Sequence, residues 1–209
     1  MISVLLIIFL LPGILSQQQP QQNDDEKASE CLKKCVGPLA KVERSFNYLF
    51  NHYEEICDML ESGAFCVRKC EQKDVEKYHQ YTTFYRIHCV DYEEDLEPHL
   101  PCLKKAAKEA DAVCKDKCHN TYKIEKNDEK EKQEKKGCLT LECSTVCYFQ
   151  EFVEECPEAK DALLKLNVGQ IHSIALTIHP ISFDRMTQEC RNVHDTDHMK
   201  RRMLEELDN

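Results

Sequence analysis

From residue 30 onward, apolar side chains recur at three- and four-residue steps, the period of a helix that buries one face. Leu39, Val42, Phe46, Leu49, Phe50, Tyr53, Ile56 and Leu60 form one such stripe. Gly37-Pro38 reads as a break after a short helix carrying Cys31 and Cys35, with Pro38 as the first residue of the next helix. Ser62-Gly63 reads as the end of that long helix, and Phe65, Cys66 and Cys70 as the opening of another. Val75, Tyr78, Phe84 or Tyr85, Cys89 and Tyr92 predict a third helix from Asp74 to about Asp95, whose aromatic rings read as core residues.

Pro98 and Pro101 punctuate the pattern, and a helix rich in Ala and Lys follows from Cys102 to Cys118. The run TYKIEKNDEKEKQEKK at 121–136 carries balanced charge and almost no apolar anchor, which fits a solvated helical extension or a disordered loop, the loop being favoured. Pro157 restarts a helix with Leu163, Leu164 and Leu166, which continues through Ile171, Ile174, Ala175 and Ile178 until Pro180. Val, Ile and Thr never alternate with polar residues for the length of a strand. The expected fold is all-α, a disulfide-stapled bundle built from helical hairpins.

The termini differ from this interior. Met1 to Pro12 is almost wholly apolar and ends near Gly13 and Ser16, the pattern of a signal peptide over residues 1–16. It is too short for a membrane-spanning helix, which needs about 20 residues. Residues 17–30 have no apolar face and read as a disordered polar tail. Residues 31–190 hold every cysteine and read as one cysteine-rich helical domain, followed by a polar C-terminal tail at 191–209, at most a frayed helix. A secreted, extracellular protein is expected, with no transmembrane anchor in the mature chain.

The net charge of −10 argues against nucleic acid as a partner and against simple attraction to anionic membranes or sulfated glycans. The expected partner is an extracellular protein or glycan. There is no N-x-Ser/Thr sequon.

The fourteen cysteines are Cys31, Cys35, Cys57, Cys66, Cys70, Cys89, Cys102, Cys114, Cys118, Cys138, Cys143, Cys147, Cys156 and Cys190. Four C-x3-C pairs stand out: Cys31/Cys35, Cys66/Cys70, Cys114/Cys118 and Cys143/Cys147. Residues four apart share one helix face, so each pair offers two thiols to the same neighbour. Zinc-ligand spacing formally includes such pairs. An even count behind a signal peptide favours disulfides instead, because the secretory pathway forms and keeps them. Chain reversal places the first cysteine of one pair opposite the second of the other. This predicts Cys31–Cys70 with Cys35–Cys66, and Cys114–Cys147 with Cys118–Cys143; Cys57 and Cys138 are nearby competitors.

Other chemistry is sparse. No HExxH, GxSxG, P-loop or GxGxxG motif occurs. His194 and His198, with Asp195 and Asp197 between them, are metal-capable on paper, but lie beyond the last cysteine and read as exposed tail. The adjacent cysteines and nearby histidine of a secreted phospholipase helix are missing, as is the cysteine pattern of a saposin-like lipid binder. No catalytic residue, metal ligand or cofactor is expected. Ser62-Gly63 is the only Ser-Gly dipeptide, and Glu54, Glu55, Asp58 and Glu61 give it acidic neighbours, as glycosaminoglycan attachment prefers. The competing reading is helix termination. Cys31-Leu-Lys-Lys recurs as Cys102-Leu-Lys-Lys, a faint sign of internal duplication.

The segments CLKKCVGPLAKVERSFNYLF, EEICDMLESGAFCVRKC, IHCVDYEEDLEPHLPCL, DAVCKDKC and ECSTVC resemble the nematode chondroitin proteoglycan 4 domain family, over approximately residues 31 to 190. Related secreted cysteine-rich nematode domains have comparable spacing. The resemblance implies an all-helical, disulfide-bonded extracellular domain, and its name suggests a chondroitin-bearing core protein. This chain lacks the repeated Ser-Gly stretches of a heavily substituted proteoglycan. The function expected is a non-enzymatic structural or interaction protein. The alternative is a carrier holding a lipid or other small apolar ligand among the aromatic residues of the third helix.

Overall fold

The computed structural model of the chain describes residues 28–125, 127–176 and 178–205. The signal peptide expected at 1–16, and the polar tail as far as residue 27, lie outside them. The described residues are mostly helical, with no strand among them. They divide into two compact units, one reaching to Glu93 and the other beginning at Glu94.

The N-terminal unit contains α1 (Glu30–Ala40), α2 (Phe46–Asn51), α3 (Tyr53–Val67), α4 (Gln72–Tyr81) and α5 (Thr83–Arg86), the last running into a π-helical turn at Ile87–Asp91. Ser29 caps α1, accepting from the Leu32 amide at 3.0 Å, while its hydroxyl donates to Asp74 at 2.6 Å. Ser29 therefore belongs to the fold rather than to the tail, and its bond to Asp74 satisfies a carboxylate that is almost fully buried. Helix α1 does not break at Gly37-Pro38. It runs to Ala40 with Pro38 inside its last turn, and the chain turns instead at Lys41–Arg44 before Ser45 caps α2. Leu32, Leu39, Leu49, Phe50, Ile56, Leu60 and Val67 are among the buried apolar residues at the core of this unit.

The expected helix from Asp74 to Asp95 is divided into α4, α5, the π-turn and α6 (Glu93–Leu96). Widening the turn at 87–91 lets Ile87, His88 and Cys89 all be buried in succession. The rings that made this segment aromatic pack on one another: Phe84 lies 5.7 Å from Phe46, 5.3 Å from Tyr85 and 5.0 Å from His88, centroid to centroid.

The C-terminal unit is organised around α8 (Lys130–Glu155), against which α7 (Leu100–Cys114), α9 (Lys160–Ala175), α11 (Gln188–Val193) and α12 (Thr196–Glu205) pack. Leu103, Ala106, Ala107, Ala110 and Cys114 form the buried stripe of α7. Its three alanines keep that face small. Helix α8 is enclosed over more than one face, burying Leu141, Val146, Phe149, Phe152 and Val153. Helix α9 ends at Ala175 rather than continuing through Ile178, and Pro180, read from the sequence as an interruption, begins the short α10 (Pro180–Asp184).

Two parts of this unit depart from the sequence reading. The mixed-charge run is a loop only as far as Glu129, and from Lys130 it is the first turns of α8. Asp128 anchors the join, accepting from Lys132 at 2.7 Å, Lys136 at 2.6 Å and the Glu125 amide at 3.0 Å. Those bonds hold its carboxyl well below the usual carboxylate range. The segment beyond Cys190 is likewise not a polar tail as far as Glu205. Met199 and Met203, one helical turn apart, are fully buried, and α12 packs on α8 and α9. Arg202 and His198 on α12 reach Glu142 on α8 at 3.0 and 3.2 Å.

No helix among the described residues is long and apolar enough to cross a membrane.

Candidate functional site

All fourteen cysteines are paired. The two C-x3-C ladders expected from antiparallel helices are both present. Cys31–Cys70 and Cys35–Cys66 join α1 to α3 and the turn after it, with Cα separations of 5.9 and 5.5 Å. Cys114–Cys147 and Cys118–Cys143 join α7 and its π-helical extension to α8, at 5.7 and 5.6 Å. Both lie within the separations a disulfide can bridge. The nearby competitors pair elsewhere: Cys57 with Cys89, and Cys138 with Cys190. Cys102–Cys156 is the seventh bond.

Each unit thus holds one ladder, and every bond lies within a unit. The likeness between the units is in the ladders and not in the Cys-Leu-Lys-Lys strings. Cys31 is a ladder residue, whereas its textual counterpart Cys102 closes the far end of α7 against Cys156. The cluster of Cys31, Cys35 and Cys70 brings three sulfurs within 4.8 Å of one another. All of them are already bonded to sulfur, so none offers the thiolate that zinc binding needs.

An open groove of about 560 Å³ runs beside the first ladder. Lys34, Cys35 and Pro38 of α1 form one wall; Asp58, Met59, Ser62, Gly63 and Cys66 of α3 form the other, with Glu54 and Glu55 toward its end. Ser62 is exposed on this surface. It does not mark a helix end, because α3 continues unbroken to Val67. Gly63 has a different task from the one its sequence context suggests. A Cβ there would overlap the Tyr78 hydroxyl and come within 3.0 Å of the Cys35 carbonyl oxygen. Gly63 lets α1 and α4 approach α3 closely, and the Tyr78 hydroxyl uses that space to donate to the Leu60 carbonyl at 2.7 Å. Burial pushes the Tyr78 phenol up to about 12.

The structure separates the two histidines of the C-terminal motif. His194 is buried, and its Nε2 has no hydrogen-bond partner in the structure; burial lowers its pKa. His198 is half-buried and faces Glu142. Sequence reading gave no role to His88, which burial holds at a pKa of about 4. Its Nδ1 lies 2.7 Å from the Phe84 carbonyl, and its own carbonyl accepts from the Tyr53 hydroxyl at 2.5 Å. The one available signal was its place four residues after Phe84 on an aromatic face.

No family model, curated protein or solved structure matches the chain.

Proposed function

We propose that this chain is a secreted, non-enzymatic structural or interaction protein of an extracellular fluid or matrix, similar in kind to a chondroitin proteoglycan core domain. The observation that carries this reading is the complete pairing of fourteen cysteines into two ladders and three further staples. Such a density of cross-links suits an oxidising compartment, where it keeps a helical surface in shape. The groove beside Ser62 is the interaction face in this reading. Its acidic wall of Glu54, Glu55 and Asp58 favours a basic protein segment over a sulfated glycan.

The test is expression of the full chain in a secreting eukaryotic host, followed by native mass spectrometry of the purified product. The expected product starts near Gln17, contains no free thiol and carries neither lipid nor a heterogeneous glycan. Retention in the cell with alkylatable cysteines would overturn the secreted reading. A stoichiometric co-purifying lipid would replace the interaction protein with a carrier, and the packed rings around Phe84 leave that carrier to find its cavity elsewhere.

A further inference from the structure

The two ladders have the same cysteine spacing but not the same exposure. In the C-terminal ladder Cys114, Cys118 and Cys147 are buried to within 1 % of their surface, and only Cys143 is partly open. In the N-terminal ladder Cys31 is exposed, the one exposed cysteine among fourteen, and Cys66 and Cys70 are half-buried. The bonds of this ladder also lie against each other. The Cys70 sulfur is 3.9 Å from the Cys35 sulfur, which belongs to the neighbouring disulfide.

We propose that Cys31–Cys70 is a thiol-exchange site, opened by a small-molecule thiol and coupled through Cys70 to the Cys35–Cys66 bond. Disulfides exchange by attack of a thiolate on one sulfur, and access decides which bond and which sulfur are reached. An incoming thiolate attacks the exposed Cys31 sulfur, forming a mixed disulfide there and expelling Cys70 as a thiolate. Cys70 then attacks the adjacent Cys35 sulfur, forming Cys35–Cys70 and expelling Cys66 as a thiolate. One thiol is consumed and one is produced, so no oxidant or reductant enters the balance. The product is a free thiol on Cys66, in the wall of the groove that also presents Ser62 and Met59. The second ladder is a built-in control, because burial denies the same chemistry to most of its sulfurs.

The native full-length protein is incubated with reduced glutathione, quenched with acid, alkylated and mapped by mass spectrometry without reduction. Glutathione should appear on Cys31 about ten-fold ahead of any cysteine outside this ladder, as expected for an exposed sulfur against the half-buried Cys57, Cys102 and Cys143 and the buried remainder. A peptide joining Cys35 to Cys70, with alkylated Cys66, should follow, while Cys114–Cys147 and Cys118–Cys143 stay intact. In the double variant Cys35→Ser/Cys66→Ser the Cys31 adduct should persist with Cys70 alkylated instead. First modification of Cys57, Cys102 or Cys143 would overturn the proposal. A wild-type Cys31 adduct with free Cys70 and an intact Cys35–Cys66 bond would overturn its second step. The wild-type time course decides both points whether or not the variant folds.

Discussion

The hydroxyl of Tyr78 occupies the space that a side chain on Gly63 would fill. Cys35 narrows the same space from the other side with its carbonyl oxygen, and its disulfide to Cys66 ties it to α3 just beyond the glycine. The contact among α1, α3 and α4 is therefore set by one missing methyl group.

Gly63→Ala should accordingly destabilise the N-terminal unit, although alanine is the better helix former. The helix-propensity gain is about 1 kcal/mol, and overpacking against the Tyr78 ring and the Cys35 carbonyl typically costs about 1–3 kcal/mol. A net loss of up to about 2 kcal/mol is expected from the denaturant midpoint at unchanged slope. Gly137, inside α8 with nothing within 4 Å of an added Cβ, is the control. Gly137→Ala should raise stability by up to about 1 kcal/mol. Gly37 is less suitable because it precedes Pro38, where any Cβ is disfavoured in a helix.

The ladders were legible in the sequence because two physical rules overlap there: residues four apart share a helix face, and antiparallel packing reverses the order of partners. Nothing comparable separates the two uses of Gly63. A glycine that ends a helix and one that admits a neighbour look the same in a string, and only the position of Tyr78 distinguishes them. Met199 and Met203 gave one apolar pair in a charged stretch, too short a period to identify a buried face, so α12 read as tail. The groove escaped for a similar reason. Its α3 wall lies in the acidic segment around Ser62, but the opposing wall of Lys34 and Pro38 depends on α1 continuing through Gly37-Pro38.

The C-terminal helix should matter for stability. Met203 is fully buried where α12 packs on α8 and α9. Met203→Ala removes that side chain from the core and should cost about 3 kcal/mol. Lys200→Ala, at an exposed position of the same helix, should stay within about 0.5 kcal/mol. Thermal unfolding of both variants at one pH measures the difference; equal effects would mean that α12 does not contribute to the core.

Acid should weaken the N-terminal unit through His88 before most carboxylates titrate. Burial lowers the folded pKa of His88 from 6.5 to about 4, so the unfolded chain binds the proton more readily. Stability from this group is fully present above pH 6.5 and is lost as pH falls through that window toward about 4. The loss approaches about 3 kcal/mol at the acid end, at about 1.4 kcal/mol per pH unit. Denaturant titrations at pH 7 and pH 5 should show the drop in the wild type and a much smaller one in His88→Phe, even though that variant starts from a different baseline. His194, also buried and lowered, adds the same sign in the C-terminal unit.

Ser62 should remain free of glycosaminoglycan in most molecules. It is exposed and has acidic neighbours, which favours recognition, but it lies within the unbroken α3. Presenting an extended Ser-Gly peptide to a transferase would require unwinding that helix between Cys57 and Cys66. Each of those is tied to another helical element, Cys57 to Cys89 and Cys66 to Cys35. Local opening would also expose Leu60, which is buried beside the tether, and would disrupt the close contact at Gly63. Chondroitinase should therefore leave the mass of the secreted protein unchanged, and Ser62→Ala should be indistinguishable from wild type on a gel. A broad smear that chondroitinase sharpens to one band, and that Ser62→Ala abolishes, would show that attachment precedes folding of α3 and would make the protein a true proteoglycan core.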